Sequence, residues 1–232
     1  MLRRALIISG GIFHPFDETS KALAAIFAEV DIGADITSDV EAGLESLHEY
    51  DLLVVNTLRW RMQGEKYDPH RDEWFFSLSK EGRSSIEMHL ACGGGIFALH
   101  TASICFDDWD LWAEILGGSW VWGQSHHPEQ AEFDVCIADG EHPIARGLPD
   151  FRINDEVYSD MNLSPDCRPI LRSSKDTGEQ PLLWARMHDN GRIVYDALGH
   201  DEVSLAEPTH KRIVERAALW AIGRSDAEIQ AR

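Results

Sequence analysis

Apolar runs of strand length alternate with helical stretches in the first half of the chain. Four runs have this length, at residues 4–9, 35–38, 51–56 and 95–100. A helix is predicted after the first run, capped by Asp17 or Thr19 and apolar on one face from Leu23 to Val30. A polar loop is predicted at 57–70 and a helix at 71–90. This alternation predicts a doubly wound, mainly parallel α/β sheet with helices on both faces.

The pattern changes after Leu116, where shorter runs are separated by turn residues. Five apparent strands lie at residues 119–122, 132–137, 168–172, 182–186 and 192–195. Asp189-Asn190-Gly191 indicates a hairpin, and an amphipathic helix covers 208–222. We therefore expect antiparallel strands added to the same sheet in the C-terminal half. We expect one domain over residues 1–223, followed by a C-terminal tail at 224–232.

His100 occupies an unusual position, at the end of the fourth predicted strand. It lies between Ala98 and Ala102, and the run Gly93-Gly94-Gly95 precedes the strand. Small residues two before and two after an apex are typical of a nucleophile elbow, because strand and helix nearly touch there. Enzymes with this turn place Ser or Cys at its apex. The sequence therefore predicts a site whose usual nucleophile has been replaced by histidine.

The charge balance restricts the class of partner. The chain has 21 Lys and Arg against 40 Asp and Glu, a net charge of −19. Neither nucleic acid nor an anionic membrane surface suits this charge, and a neutral, polar small molecule suits it better. No apolar run approaches the ~20 residues of a membrane span. The four scattered cysteines indicate reduced thiols and a cytoplasmic protein.

Candidate functional residues lie at the predicted carboxyl ends of strands, where open α/β sheets collect ligands. They include His14, Asn56, His100 and His200. His200 is followed by Glu202, the spacing of a His-carboxylate pair in which the acid orients the imidazole. Glu156 lies in an acidic pair beside an aromatic residue. We predict four catalytic residues: His100, His200, Glu156 and Glu202. A strand-end histidine can also be structural, and the acidic pair can be a solvated turn.

A divalent metal such as zinc is a candidate cofactor, because histidine and glutamate ligands suit it. The predicted ligands are His100, His126, His127 and His200. If the segment around His126 and His127 is extended, adjacent side chains face opposite sides, so only one of these two histidines enters the site. The chain has no His-Glu-x-x-His or Cys-rich spacing. Acid/base chemistry without a metal, and an exposed loop at 126–127, therefore stay open as alternatives.

Tryptophans are dense near the predicted cleft, at positions 109, 112, 120 and 122. Exposed indole rings stack on sugars, which favours a carbohydrate ligand. The predicted substrate contacts are His14, Trp120, Trp122 and Tyr158. Core packing and a subunit interface are the alternative explanations for the tryptophans, so a homo-oligomer is left open.

Several short segments together resemble the ThuA-like (trehalose utilisation) family of the class I glutamine amidotransferase-like superfamily. The matching segments are at residues 93–102, 116–118, 142–144, 147–148, 155–158, 191–193, 198–200 and 219–221. The resemblance implies a flavodoxin-like sheet and a role in sugar catabolism. It also implies that the amidotransferase Cys is replaced by His100, whereas the triad His and Glu correspond to His200 and Glu202. Glutamine amidotransfer is therefore not expected.

The leading hypothesis is an enzyme, an isomerase or hydrolase, that acts on a sugar or keto-sugar by His-based or metal-assisted chemistry. One rival is a non-catalytic sugar-binding or regulatory module, in which the tryptophans matter more than the histidines. The other rival is a hydrolase that uses Ser125 or Cys105 as its nucleophile.

Overall fold

A computed structural model describes residues 3–232. Its strands are β1 (Arg3–Gly10), β2 (Ile32–Thr37), β3 (Leu52–Thr57), β4 (Gly95–Leu99), β5 (Gly118–Ser119), β6 (Ala131–Ile137), β7 (Phe151–Asp155), β8 (Asn162–Leu163), β9 (Pro169–Ser173), β10 (Pro181–His188) and β11 (Gly191–Asp196). Its α-helices are α1 (Phe16–Ala28), α2 (Val40–Glu45), α3 (Asp68–Trp74), α4 (Lys80–Ala91), α5 (Asp110–Leu116), α6 (Glu202–Ala206), α7 (Pro208–Ala221) and α8 (Asp226–Gln230).

Nine strands form the main sheet, in the order β2-β1-β3-β4-β11-β10-β9-β6-β7. The strands from β2 to β11 are parallel to their neighbours, whereas every pairing from β11 to β7 is antiparallel. The predicted fold class, with a parallel first half and added antiparallel strands, is confirmed. The predicted hairpin is also present, because His188 pairs with Gly191 across the turn between β10 and β11.

The sheet separates two apolar cores, as expected for strands buried on both faces. Ile7 of β1 and Phe97 of β4 face the core that is closed by α1, α7 and α8. Ile8 and Ala98, their neighbours along the chain, face the second core with α2, α4 and α5. Successive residues of each strand therefore alternate between the two cores, as the period of two along a strand requires.

Several boundaries differ from the sequence-based predictions. The predicted helix at 71–90 is two helices, α3 and α4, because residue Phe75 between them is extended and pairs with Trp60. Of the predicted strand at 119–122, only Ser119 is in a strand; it belongs to β5, which pairs with β8. Residues 224–232 contain α8, which has a Ser225–Glu228 capping box and buries Ile229 completely.

The antiparallel half brings a second set of strand ends to the edge where the parallel strands finish. Four successive antiparallel pairings separate β7 from β11, so these two strands run in the same direction. Their carboxyl ends, Asp155 and Asp196, therefore lie at the same edge of the sheet as the end of β4. None of the helices among residues 3–232 combines the length and apolar character needed to cross a bilayer.

Candidate metal centre

His100 occupies the turn between β4 and one turn of 3-10 helix, His100–Ser103. Its φ of 47° lies in the left-handed region, a strained conformation for a residue with a side chain. The Tyr195 hydroxyl donates to the His100 carbonyl oxygen at 2.7 Å, and its oxygen lies 3.0 Å from Ser103 Oγ, which can donate to it. These bonds hold the strained turn, so the backbone has the geometry that the elbow pattern predicts.

Four residues from four separate segments converge at the edge of the sheet. His14 lies in the loop after β1, His100 follows β4, Glu156 follows β7 and His200 follows β11. One nitrogen of each histidine and one carboxylate oxygen of Glu156 all lie within 4.8 Å of one another. We call these four residues the histidine cluster.

Backbone carbonyls orient two of the imidazoles. The Nδ1 atom of His100 lies 2.6 Å from the carbonyl oxygen of Ala197, and Nδ1 of His14 lies 3.3 Å from that of Ile12. A carbonyl oxygen only accepts, so each Nδ1 carries a proton, and the lone pair of a neutral ring then lies on Nε2. Both Nε2 atoms belong to the group that converges in the cluster. This arrangement is the one that metal-binding histidines adopt.

The converging atoms are buried without hydrogen-bond partners among the described residues. They are His14 Nε2, His100 Nε2, Glu156 Oε2 and His200 Nδ1. Glu156 Oε2 is 3.3 Å from His100 Nε2 and 3.5 Å from His200 Nδ1, but neither contact has hydrogen-bond geometry. Buried polar atoms are rarely left unpaired, and four of them around one point indicate a site for a ligand.

The protonation states of His14 and Glu156 suit metal binding, whereas the Glu156 carboxylate raises the pKa of His200. Burial, reinforced by His100 and His200, lowers the pKa of His14 to about 3, so its imidazole is neutral at physiological pH. Burial raises the pKa of Glu156, but His100 and His200 outweigh this effect and hold it well below its ordinary value. Glu156 contributes a negative charge, and His14 contributes a neutral nitrogen.

Three imidazole nitrogens and one carboxylate oxygen are a ligand set for a divalent cation of the zinc type. Tetrahedral zinc bonds of about 2.0–2.1 Å place ligand atoms roughly 3.4 Å apart. The His100–Glu156 and His200–Glu156 separations of 3.3 and 3.5 Å are close to that value. The residues present therefore fit a metal ion.

The other predicted metal ligands lie outside the histidine cluster. His126 is exposed, with its Nδ1 atom 3.8 Å from Asp160 Oδ2. His127 is closer, because its Nδ1 atom lies 3.3 Å from Glu156 Oε1, although it is not part of the converging group. Conversely, His14, which the sequence analysis assigns to substrate contact, belongs to the cluster.

The prediction for Glu202 requires a correction. Asp201 caps α6 by accepting the Ser204 N–H, and Glu202 in the first turn of that helix is exposed. The carboxylate that faces His200 is that of Glu156, which comes from the antiparallel half of the sheet. Sequence spacing alone could not find this pairing, because it depends on how β7 returns to the edge of the sheet.

An aromatic cavity of about 200 Å³ adjoins the cluster. It is lined by His14, His127 and all three aromatic residues predicted to contact substrate, Trp120, Trp122 and Tyr158. The Tyr158 ring also packs on His100, with 4.3 Å between ring centroids. The predicted substrate-contact residues therefore lie together beside the cluster.

The rival nucleophiles are held in structural roles. The Cys105 thiol is buried and donates to the carbonyl of Thr57 at 3.0 Å, and burial raises its pKa to about 12. The Ser125 hydroxyl donates to the Asp160 carbonyl at 3.0 Å and accepts the Val121 N–H. A thiol that stays protonated and a hydroxyl engaged with backbone groups are poorly prepared for nucleophilic attack.

Solved structures of other proteins share the fold of this chain. The fold resembles that of a glutamine amidotransferase from Thermotoga maritima, with a TM-score of 0.57, 14% identity and coverage of 96% of this chain and 99% of that chain. The chain therefore has a glutamine amidotransferase-like fold.

The sequence of the chain matches the model of one protein family. A family profile described as "ThuA: Trehalose utilisation" matches residues 4–221, and the chain belongs to this family. A ThuA-like protein from Parabacteroides merdae has a TM-score of 0.76 at 21% identity, covering 96% of this chain and 91% of that one. A ThuA-like protein from Bacteroides uniformis has a TM-score of 0.70 at 19% identity, covering 95% and 91%. A search of curated protein sequences finds no match.

Proposed function

We propose that this protein is a metal-dependent enzyme that acts on a sugar or keto-sugar. His14, His100, Glu156 and His200 hold a divalent cation such as zinc. The observation that carries the proposal is the convergence of four buried, unpartnered ligand atoms. Acid/base catalysis without a metal explains it less well, because the neutral ring of His14 would keep a buried Nε2 atom facing the other cluster atoms without a partner.

A divalent cation held by the histidine cluster would supply Lewis-acid chemistry, which polarises a carbonyl or lowers the pKa of a water molecule. The protein orients the ligand rings, because the backbone carbonyls of Ala197 and Ile12 hold the imidazoles of His100 and His14. Tyr158 packs against His100 and lines the cavity, so it restricts the ring and excludes water on that side.

His127 is the proposed proton carrier. It lines the aromatic cavity, and its Nδ1 atom faces two acceptors, the Pro128 carbonyl at 3.0 Å and Glu156 Oε1 at 3.3 Å. Nδ1 therefore carries the proton in the neutral ring, which leaves Nε2 to accept a proton from substrate. A half-exposed imidazole next to the cluster can exchange that proton with solvent.

The substrate class rests on the cavity and on the family. Trp120 and Trp122 offer aromatic faces next to the cluster, and such faces stack on sugar rings. The family is described by trehalose utilisation, which also points to a carbohydrate. We place the reaction in the cytoplasm, because the four cysteines are unpaired thiols.

A sugar-binding module without catalysis is the second candidate, and the aromatic lining of the cavity favours it. Incubation of purified, metal-loaded protein with a panel of disaccharides and keto-sugars distinguishes the two candidates. The products are separated by chromatography before mass spectrometry, because isomers have equal mass. The enzyme hypothesis predicts product formation that His127→Ala lowers strongly. Trp220→Ala should leave it unchanged, because Trp220 packs on Arg192 at the start of β11, the end of that strand away from His200. Binding without product in any metal-loaded sample would favour the module.

Metal content tests the proposal before a substrate is known. We expect about one bound divalent ion per chain in purified wild type after zinc loading and desalting, measured by plasma mass spectrometry. His100→Ala should lose the ion, whereas His126→Ala, an exposed histidine outside the cluster, should keep it. Equal metal content in wild type and His100→Ala would overturn the proposal.

A further inference from the structure

The buried carboxylate of Asp155 touches two members of the histidine cluster without belonging to it. Asp155 ends β7, is 1% exposed and immediately precedes Glu156. Its Oδ1 atom accepts the N–H of Glu156 at 2.7 Å and lies 3.4 Å from the N–H of His200. One oxygen therefore holds the backbone of both residues.

The second carboxylate oxygen binds the same loop from the other side. Asp155 Oδ2 accepts the Gly199 N–H at 2.8 Å and the Ser204 hydroxyl. Ser204 Oγ also accepts the Gly199 N–H at 3.2 Å. A buried carboxylate surrounded by donors makes charge-assisted bonds, which are about twice as strong as neutral ones. The loop that carries His200 is thus fixed at two consecutive amides.

The main sheet does not bring the segments that carry Glu156 and His200 into direct contact. In the main sheet, β10, β9 and β6 lie between β11, which leads to His200, and β7, which leads to Glu156. The position of one segment relative to the other is therefore transmitted through three intervening strands. Asp155 replaces that indirect path with a direct contact between the two strand ends.

We infer that Asp155 is a positioning residue that sets the separation of Glu156 Oε2 and His200 Nδ1, and through it the affinity of the site for its metal. The inference rests on the proposed function, because it gives Asp155 its role through two metal ligands. Partners that orient metal ligands in this way are worth about 10–100-fold in metal affinity.

Cobalt(II) binding to the Asp155→Asn variant tests the inference. Asparagine keeps the size of the side chain but turns one acceptor into an NH2 group that faces backbone N–H donors. We expect Co²⁺ affinity to fall 10–100-fold and the visible ligand-field bands of the bound Co²⁺ to shift or weaken. A purely structural role would lower the unfolding temperature without changing the bands of the loaded site.

Asp108→Asn is the matched control. Asp108 is a mostly buried carboxylate outside the cluster, bound to Arg83 at 2.7 Å and to Ser77. This variant should lose stability and keep the wild-type Co²⁺ affinity and spectrum. If Asp155→Asn fails to fold, Ser204→Ala removes one of the donors to the carboxylate and should weaken Co²⁺ binding several-fold.

The outcomes separate the two proposals. Wild type that binds Co²⁺, with Asp155→Asn or Ser204→Ala showing the same affinity and spectrum, overturns the role of Asp155 and leaves the metal site intact. Wild type that takes up no Co²⁺ overturns the proposed function, and the role of Asp155 falls with it. Weaker Co²⁺ binding with altered bands in Asp155→Asn, but not in the control Asp108→Asn, supports both the metal site and the role of Asp155.

Discussion

The Nε2 atom of His100 lies 3.3 Å from Oε2 of Glu156, and the two residues come from different halves of the sheet. His100 ends a strand of the parallel half, and Glu156 follows the last strand of the antiparallel half. The parallel half supplies the imidazole nitrogens, and the antiparallel half supplies the carboxylate. The candidate metal site therefore exists only because the antiparallel strands bring β7 back to the edge where β4 ends.

Replacing Glu156 should remove most of the metal affinity. Glu156→Gln keeps the shape of the side chain but loses the charge, and we expect at least a ~100-fold weaker zinc affinity because even orienting partners are worth 10–100-fold. Competition with a chromophoric chelator measures it. Glu202→Gln is the control, since Glu202 is exposed in α6 and should leave the affinity unchanged. A larger effect from the Glu202 variant would contradict the assignment.

Gly199 should be far less tolerant of a side chain than Gly223, although both have positive φ, 95° and 79°. A Cβ at Gly199 would lie 2.9 Å from the Leu99 side chain, whereas a Cβ at Gly223 meets nothing within 4 Å. We expect Gly223→Ala to cost about 1–2 kcal/mol of backbone strain. Gly199→Ala adds overpacking of about 1–3 kcal/mol. Urea unfolding measures both, and equal losses would show that the close approach to Leu99 is unimportant.

Cys105 should resist alkylation. Its pKa, raised to about 12 by burial, leaves almost no thiolate at pH 7.5, whereas Cys92 is exposed. Iodoacetamide treatment followed by peptide mass spectrometry should label Cys92 and leave Cys105 unmodified in the folded protein. Preferential labelling of Cys105 would contradict this expectation and support the rival hypothesis of a hydrolase with Cys105 as its nucleophile.

The buried His210–Asp196 pair should make stability depend on pH. His210 Nε2 is 3.0 Å from Asp196 Oδ2 and Nδ1 is 2.8 Å from the Ser204 carbonyl oxygen, so both nitrogens face acceptors and the protonated ring satisfies both. Burial lowers the pKa of His210, but these partners outweigh it, and the net pKa is raised. The stabilisation is complete below the unfolded pKa of about 6.5 and is lost as the pH rises through the folded value.

The difference in unfolding free energy between wild type and His210→Gln should therefore shrink as the pH increases from 6 to 9. Denaturant unfolding at a series of pH values measures this difference. The contributions of titratable groups that both proteins share cancel in it. His142→Gln is a useful contrast, because burial lowers the pKa of His142 and its pH dependence should have the opposite sign. A His210 difference that grows with pH would contradict the account.

Local patterns predicted the parallel half of the fold well. Continuous apolar runs specify strands buried on both faces, and the small residues around His100 specify the elbow. The same patterns placed His14, His100 and His200 at strand ends, because that position depends only on the local run and on the shared edge of parallel strands. The family resemblance is also confirmed, since the ThuA profile spans residues 4–221.

The contacts that complete the site could not be predicted from the sequence. Glu202 was paired with His200 by spacing, but helix capping at Asp201 sends Glu202 to solvent. β7 was not predicted, since Phe151–Asp155 alternates buried and exposed residues over only one strand length. Its return to the edge of the sheet depends on four antiparallel pairings. The pairing of Glu156 with His200 is a consequence of that tertiary path.

X-ray diffraction at the zinc absorption edge, from crystals of zinc-loaded protein, tests the central claim most directly. The account predicts one anomalous peak within about 2.0–2.2 Å of His14 Nε2, His100 Nε2, Glu156 Oε2 and His200 Nδ1. An anomalous map with no peak at the histidine cluster, or with zinc bound elsewhere on the chain, would contradict it.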